Sequence, residues 1–307
     1  MGLLSMAAPT RAGLTIVPTF DISITSKVNA AAIEGTINAA ISDYQSKFTD
    51  NITLAIDFKD MSTGLGQSST PVYLTSYSGY RAALVADATT TDDATALATL
   101  PNSPNNPVDG GPNLYVSRAN RLAVGIATGS TSDGFDGTIS LNTTITNVDR
   151  TTIDPSKFDL KSVVQHEIDE VLGLGSSLGS NLGAPRPEDL FRYSASGARS
   201  YTTNTSATSY FSIDGGMTSL VAFNQSGGGS DYGDWVRSAT VRVQDAFGTT
   251  GATPNLGVEL RALDVIGYNL APLNNAVPEP STLSLLGVGA CILSGYQVIR
   301  RRQCKSA

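Results

Sequence analysis

The stretch Phe158-Asp159-Leu160-Lys161-Ser162-Val163-Val164-Gln165-His166-Glu167-Ile168-Asp169-Glu170-Val171-Leu172-Gly173-Leu174-Gly175-Ser176 decides how this chain is read. Asp159 is a favoured N-cap type, because its carboxylate can accept the free N–H groups of a first helical turn. The pattern predicts a helix over about residues 160–174, with Gly173, Gly175 and Gly179 letting the chain stop and turn. At about 100° per residue, Val164, Ile168, Val171 and Leu172 share one side of that helix. His166, Glu170 and Gly173 fall on the other side, with Glu167 between the stripes next to His166. Two ligand-type side chains one turn apart make part of a cation site, and the neighbouring carboxylate can reach a water on the cation. His166 is the only histidine in the chain, so oxygen donors must complete any such site. The other reading is a solvated acidic helix face, since Glu167, Asp169 and Glu170 match any exposed helix.

Around this stretch, 307 residues with 40% hydrophobic and 15% charged side chains describe globular material for one large or two small domains. A net charge of -7 with 20 basic residues argues against nucleic acid as a partner. Abundant Asn, Ser, Thr and Gly suit an exported protein with polar loops. Both cysteines, Cys291 and Cys304, lie in the C-terminal tail, so the body has no disulfide and no thiolate ligand. Residues 1–12 hold a short apolar stretch ending near the small residue Ala12, without a basic start. They are expected to be a truncated signal peptide, the alternative being a disordered leader.

Strands are expected over residues 14–24, 52–58, 114–126, 137–141 and 209–213, where β-branched residues or apolar alternation dominate. Helices are expected over 28–48, 77–88, 92–100 and 258–268, and a loop rich in Pro, Asn and Gly over 101–112. Strands and helices interleave in the first half and loops dominate the second. The fold class expected is therefore α+β, one domain over residues 13–272 with a loop-rich C-terminal half. Gly227-Gly228-Gly229 reads as a flexible loop, since no strand-loop-helix with a Lys surrounds it. Asp231 and Asp234 read as loop-capping carboxylates in preference to calcium ligands. Tyr232 and Trp235 are expected to pack the loops.

The tail has its own logic. A linker over 273–280 carries Pro278-Glu279-Pro280, residues 281–299 are uncharged, and Arg300-Arg301-Arg302 open a basic end at 300–307. As a helix, the uncharged run would rise roughly 28 Å, enough to cross a bilayer's hydrocarbon core. The arginines would hold its far end on the cytoplasmic side. This order closely resembles the PEP-CTERM sorting signal. The resemblance implies an exosortase-type sorting enzyme as partner and membrane anchoring through the C-terminal helix before processing. The cell surface or extracellular matrix would be the destination.

The central stretch resembles the matrixin and wider metzincin group of zinc endopeptidases, whose pattern is His-Glu-x-x-His-x-x-Gly-x-x-His. Carried over by position, the resemblance makes His166 the first ligand of one Zn ion, Glu167 the general base, Glu170 the second ligand and Gly173 the turn glycine. It puts Ser176 at the third-ligand position and implies a mixed sheet with an active-site helix. It also implies hydrolysis of a peptide or protein substrate. Glu259 to Tyr268 resembles the closing helix of such domains, and Met217 is a candidate for the methionine beneath the metal. Ser176 is a poor ligand, so the third ligand is expected to be a carboxylate, a tyrosine or a water. Asp189 and Glu188 stand at a separation from His166 that resembles the one at which the gluzincins, another zinc-protease group, supply a glutamate, and the resemblance favours Asp189. A second carboxylate on the metal would weaken it as a Lewis acid. The alternatives are a catalytically inactive surface or matrix binding protein of the same fold, and a metal-dependent hydrolase of another bond.

Overall fold

The computed structural model describes residues 13–226 and 231–272. In chain order the elements are β1 (Thr15–Phe20), α1 (Ile22–Thr25), α2 (Ala30–Lys47), β2 (Thr53–Asp60), β3 (Gly66–Ser69), β4 (Val72–Ser76), α3 (Tyr77–Asp87), α4 (Thr91–Ala98) and β5 (Asn113–Ser117). There follow α5 (Arg118–Ala123), β6 (Gly137–Leu141), β7 (Thr146–Asn147), β8 (Phe158–Asp159) and α6 (Leu160–Leu172). After α6, the described residues hold a 3-10 helix (Glu188–Phe191), β9 (Arg192–Ala195), β10 (Ala198–Arg199), β11 (Tyr210–Phe211), β12 (Val221–Ala222) and α7 (Val258–Val265). The class is α+β.

The main sheet has the order β1-β2-β6-β3. β1, β2 and β6 run parallel, while β3 pairs antiparallel to β6 and forms the edge. Leu54, Ile56 and Phe58 of β2 and Ile139 and Leu141 of β6 are buried, and α6 packs on β6 and β3 with α2 against it. A smaller antiparallel sheet, β10-β9-β11-β12, organises the later loops. Its core is aromatic: Phe211 meets Phe191, Phe223 and Trp235 with ring centroids 6.3, 6.4 and 5.8 Å away.

Two expected strands are shorter than the alternation suggested, for the same reason. The strand over 14–24 ends at Phe20, where Asp21 accepts from Ser23 N–H at 2.8 Å and starts α1. The strand over 114–126 ends at Ser117, whose hydroxyl accepts from Asn120 N–H at 3.1 Å and starts α5. In each case a short polar side chain caps a helix inside an apolar run. The strand over 209–213 is reduced to β11. β3 and β4 carried no expectation: Gly66-Gln67-Ser68-Ser69 has little strand propensity, and β3 exists through its pairing with β6.

Packing of the body ends at Ala271, and Pro272–Ala307 forms a second unit. The expected helix over 281–299, the Pro-Glu-Pro motif and the arginines lie outside the described residues. Among the described residues, no helix is long and apolar enough to cross a membrane.

Candidate metal centre

α6 is fixed at both ends and along one flank. Asp159 accepts from Ser162 N–H at 2.9 Å and pairs with Arg150 Nη2 at 2.6 Å, so the N-cap is also an ion pair. Gly173 closes the helix at φ 131°, a conformation that disfavours other residues. From α2, the Tyr44 hydroxyl donates to Asp169 Oδ1 at 2.8 Å and approaches the Gln165 carbonyl at 2.7 Å. The solvated acidic face is therefore not what forms. Glu167 is 5% exposed and Asp169 fully buried, while His166 and Glu170 look into a cleft of about 270 Å³.

In that cleft His166 Nε2 lies 3.6 Å from Glu170 Oε1 and 3.6 Å from Asp234 Oδ1. One donor atom from each of the three lies within 4.8 Å of the others. Donors held at about 2.1 Å around a tetrahedral ion would be ~3.4 Å apart, so little adjustment is needed for a small divalent cation. His166 Nδ1 lies 3.1 Å from the Val243 carbonyl, which accepts the Nδ1 proton and leaves Nε2 free as a donor to the cation. Glu170 Oε2 accepts from the Ser68 hydroxyl of β3 at 2.5 Å, and its Oε1 faces His166.

Asp234 arrives from a distant loop by a close backbone contact. A Cβ at Gly233 would sit 2.3 Å from the Cα of Gly175, so only glycine lets this loop lie on the turn that ends α6. Asn224 N–H donates to the Asp234 carbonyl at 2.7 Å and Trp235 N–H to the Gln244 carbonyl at 2.8 Å. Trp235 is fully buried in the aromatic core, which anchors the strand-like segment. Gln244 Nε2 donates to Asp234 Oδ1 at 3.0 Å.

Glu167 occupies the same cleft beneath the sheet edge. A Cβ at Gly66 would be 2.2 Å from Glu167 Oε1, so the glycine of β3 makes room for this carboxylate. No protein donor reaches Glu167 Oε2. Burial and the Glu170 charge push Glu167 up to about 9, although His166 opposes them. Burial alone would depress His166, but the charges of Asp234, Glu170 and Glu167 outweigh it and hold the imidazole well above its usual range. Glu170 is held below its ordinary value: burial raises it, but the bonds from His166 and Ser68 outweigh burial. Among the described residues, no Lys or Arg forms an ion pair with Glu167, Glu170 or Asp234.

The other expected site residues lie elsewhere. Asp189 is buried, but its carboxylate accepts from the Ser176 hydroxyl at 2.5 Å and from the N–H groups of Ser177 and Arg186 at 3.2 and 2.8 Å. It shapes the loop after α6 and does not join the cluster, where Asp234 stands instead. Ser176 is thereby committed to Asp189. Asp231 caps Ser176 and Gly233 through their N–H groups, as expected of a loop carboxylate. Met217 is 72% exposed and does not underlie the imidazole. The one signal for Asp234 in the sequence was its place in Gly233-Asp234-Trp235, where a close-packing glycine and a large aromatic flank an acid.

Residues 276–303 match the family model of the PEP-CTERM protein-sorting motif. The match contains Pro278, Glu279, Pro280, Arg300, Arg301 and Arg302, and the motif implies export and exosortase-dependent sorting to the cell surface. No curated protein and no solved structure matches the chain.

Proposed function

We propose that this chain is a surface-sorted, zinc-dependent hydrolase of peptide bonds, of metzincin-like type, with the cation held by His166, Glu170 and Asp234. The observation that carries the reading is the converging group of one imidazole and three carboxylates, two of them buried, without a Lys or Arg partner. Some buried carboxylates in the body are matched by an arginine, Asp159 by Arg150 and Asp136 by Arg118. Others, such as Asp50, Asp189 and Asp264, are single acids held by neutral hydrogen bonds. The cleft differs in that several acids converge on one imidazole. An unmatched set is costly unless a cation completes it.

Bound zinc would supply Lewis acidity toward a substrate carbonyl and lower the pKa of a water. Glu167 takes a proton from the attacking water and hands it to the leaving amine. In the metal-free cleft burial and the Glu170 charge favour the protonated carboxyl, so Glu167 can accept that proton only once the charge of a bound cation has favoured its ionised form. Two carboxylate ligands offset more of the cation's charge than two histidines, which predicts a slower enzyme than a three-histidine site. Peptide is the favoured substrate because β3 is the sheet edge and lines the cleft, offering backbone groups to an extended chain.

The test is metal analysis of the full-length protein in detergent. About one zinc per chain is expected, lost in His166→Ala and Asp234→Asn while circular dichroism is unchanged. Glu167→Gln should keep zinc and lose ~10²-fold or more of the peptidase activity. A folded wild type that takes no zinc defeats the reading. Zinc without any proteolysis supports the catalytically inactive surface-binding protein instead.

A further inference from the structure

Each carboxylate ligand in the cleft has a second hydrogen bond, and the two bonds share a chemical character. Glu170 receives the hydroxyl of Ser68 from the edge strand. Asp234 receives the amide of Gln244, which is itself completely buried. Gln244 is in turn pinned from the opposite side, because its backbone N–H donates to Glu259 Oε1 at 3.1 Å. Glu259 is fully buried in α7, and its Oε2 accepts from Gly257 N–H at 2.7 Å. The neighbouring Val243 carbonyl holds His166. Residues 243 and 244 therefore brace two of the three donors from one rigid segment.

Both outer donors are neutral, and that matters. A Lys or Arg in either place would orient the carboxylate equally well but would neutralise it and compete with a cation. A hydroxyl and an amide orient the oxygen while leaving its charge available. We propose that Ser68 and Gln244 are positioning residues that aim Glu170 and Asp234 at the cation and set the affinity of the site. The inference rests on the metal reading above. It goes further by assigning affinity to two residues that contribute no ligand atom.

The experiment measures zinc dissociation constants of the full-length protein by competition with a chromophoric chelator, for wild type, Ser68→Ala and Gln244→Met. Methionine has a similar length to glutamine and fills the buried space without a donor. Removal of such a partner weakens metal affinity by ~10–100-fold, and that loss is expected in both variants. The metal-free forms should melt within a few degrees of wild type, which a purely structural role for these residues would not allow. A change smaller than threefold in a folded variant overturns the role of that residue. Should Gln244→Met fail to fold, Ser68→Ala, a small change on an edge strand, decides alone. A wild type that binds no zinc removes this inference together with the metal reading, whereas tight zinc unaffected by either substitution removes this inference only.

Discussion

At the scale of single residues, the cleft is governed by how little room each side chain has. Gly66 illustrates it, since any side chain there meets the Glu167 carboxylate and also Val163 Cγ1 at 2.8 Å. The carboxylate is the end of a flexible side chain and can swing away, but buried, β-branched Val163 cannot, so Gly66→Ala should both cost stability and misplace the base. Turnover is expected to fall ~10-fold or more with zinc content intact; equal turnover in the two proteins would show that Gly66 does not seat the base. Protonation is the second constraint. The metal-free imidazole of His166 is held protonated above its usual range by three carboxylates, so zinc must displace that proton. Burial also holds the Asp234 carboxyl well above its ordinary range, so apparent zinc affinity should rise by at least ~10-fold per pH unit through neutrality. Titrations between about pH 6 and 8 check this, and a flat profile would mean that the imidazole is already neutral.

At the scale of elements, α6 is the part on which the site depends, and its N-cap is the accessible lever. Asp159 caps Ser162 and is clamped by Arg150, which also donates to the Pro254 carbonyl at 2.8 Å and to Asn255 Oδ1 at 2.7 Å. Removing the carboxylate in Asp159→Ala loses the cap and one charged partner but leaves Arg150 two others. A destabilisation of about 2 kcal/mol is expected, read by chemical denaturation. Asp159→Asn should recover much of it, since an amide oxygen still caps. If both variants lose the same stability, the ion pair dominates and the cap does not.

At the scale of the whole body, buried acids make stability depend on pH. Burial pushes Asp50 up to about 6 and Asp264 up to about 7. Both lie where α7 and the last described residues close on the first half: Asp50 accepts from Asn269 N–H at 3.0 Å and Asp264 from the Thr90 hydroxyl at 2.7 Å. A native pKa above the unfolded one means that the native state binds the proton more tightly. That contribution is complete below about pH 4 and is lost as pH rises through 6 and 7. The metal-free protein should accordingly melt at lower temperature at pH 8 than at pH 5, and Asp264→Asn should reduce the difference. An unchanged difference in thermal melts would remove Asp264 from the account.

What could be read from the chain alone was local or contiguous. The cap and apolar stripe of α6, the α+β pattern of the first half and the Pro-Glu-Pro, apolar run and arginine order each lie within one short window of sequence, so neighbouring residues carry the signal. His166 and Glu170 fall one turn apart by helical geometry, which needs no tertiary information. Asp234 is different: it stands 64 residues beyond Glu170 in the chain, and its approach depends on Gly233 lying against Gly175, on Trp235 anchoring in the aromatic core and on Gln244 holding its carboxylate. Asp189 had the better position in the sequence, but two serines and an arginine N–H claimed its oxygens first. Spacing along a helix is set by covalent geometry, whereas a ligand delivered by a loop is chosen by packing, and packing exists only in the folded molecule.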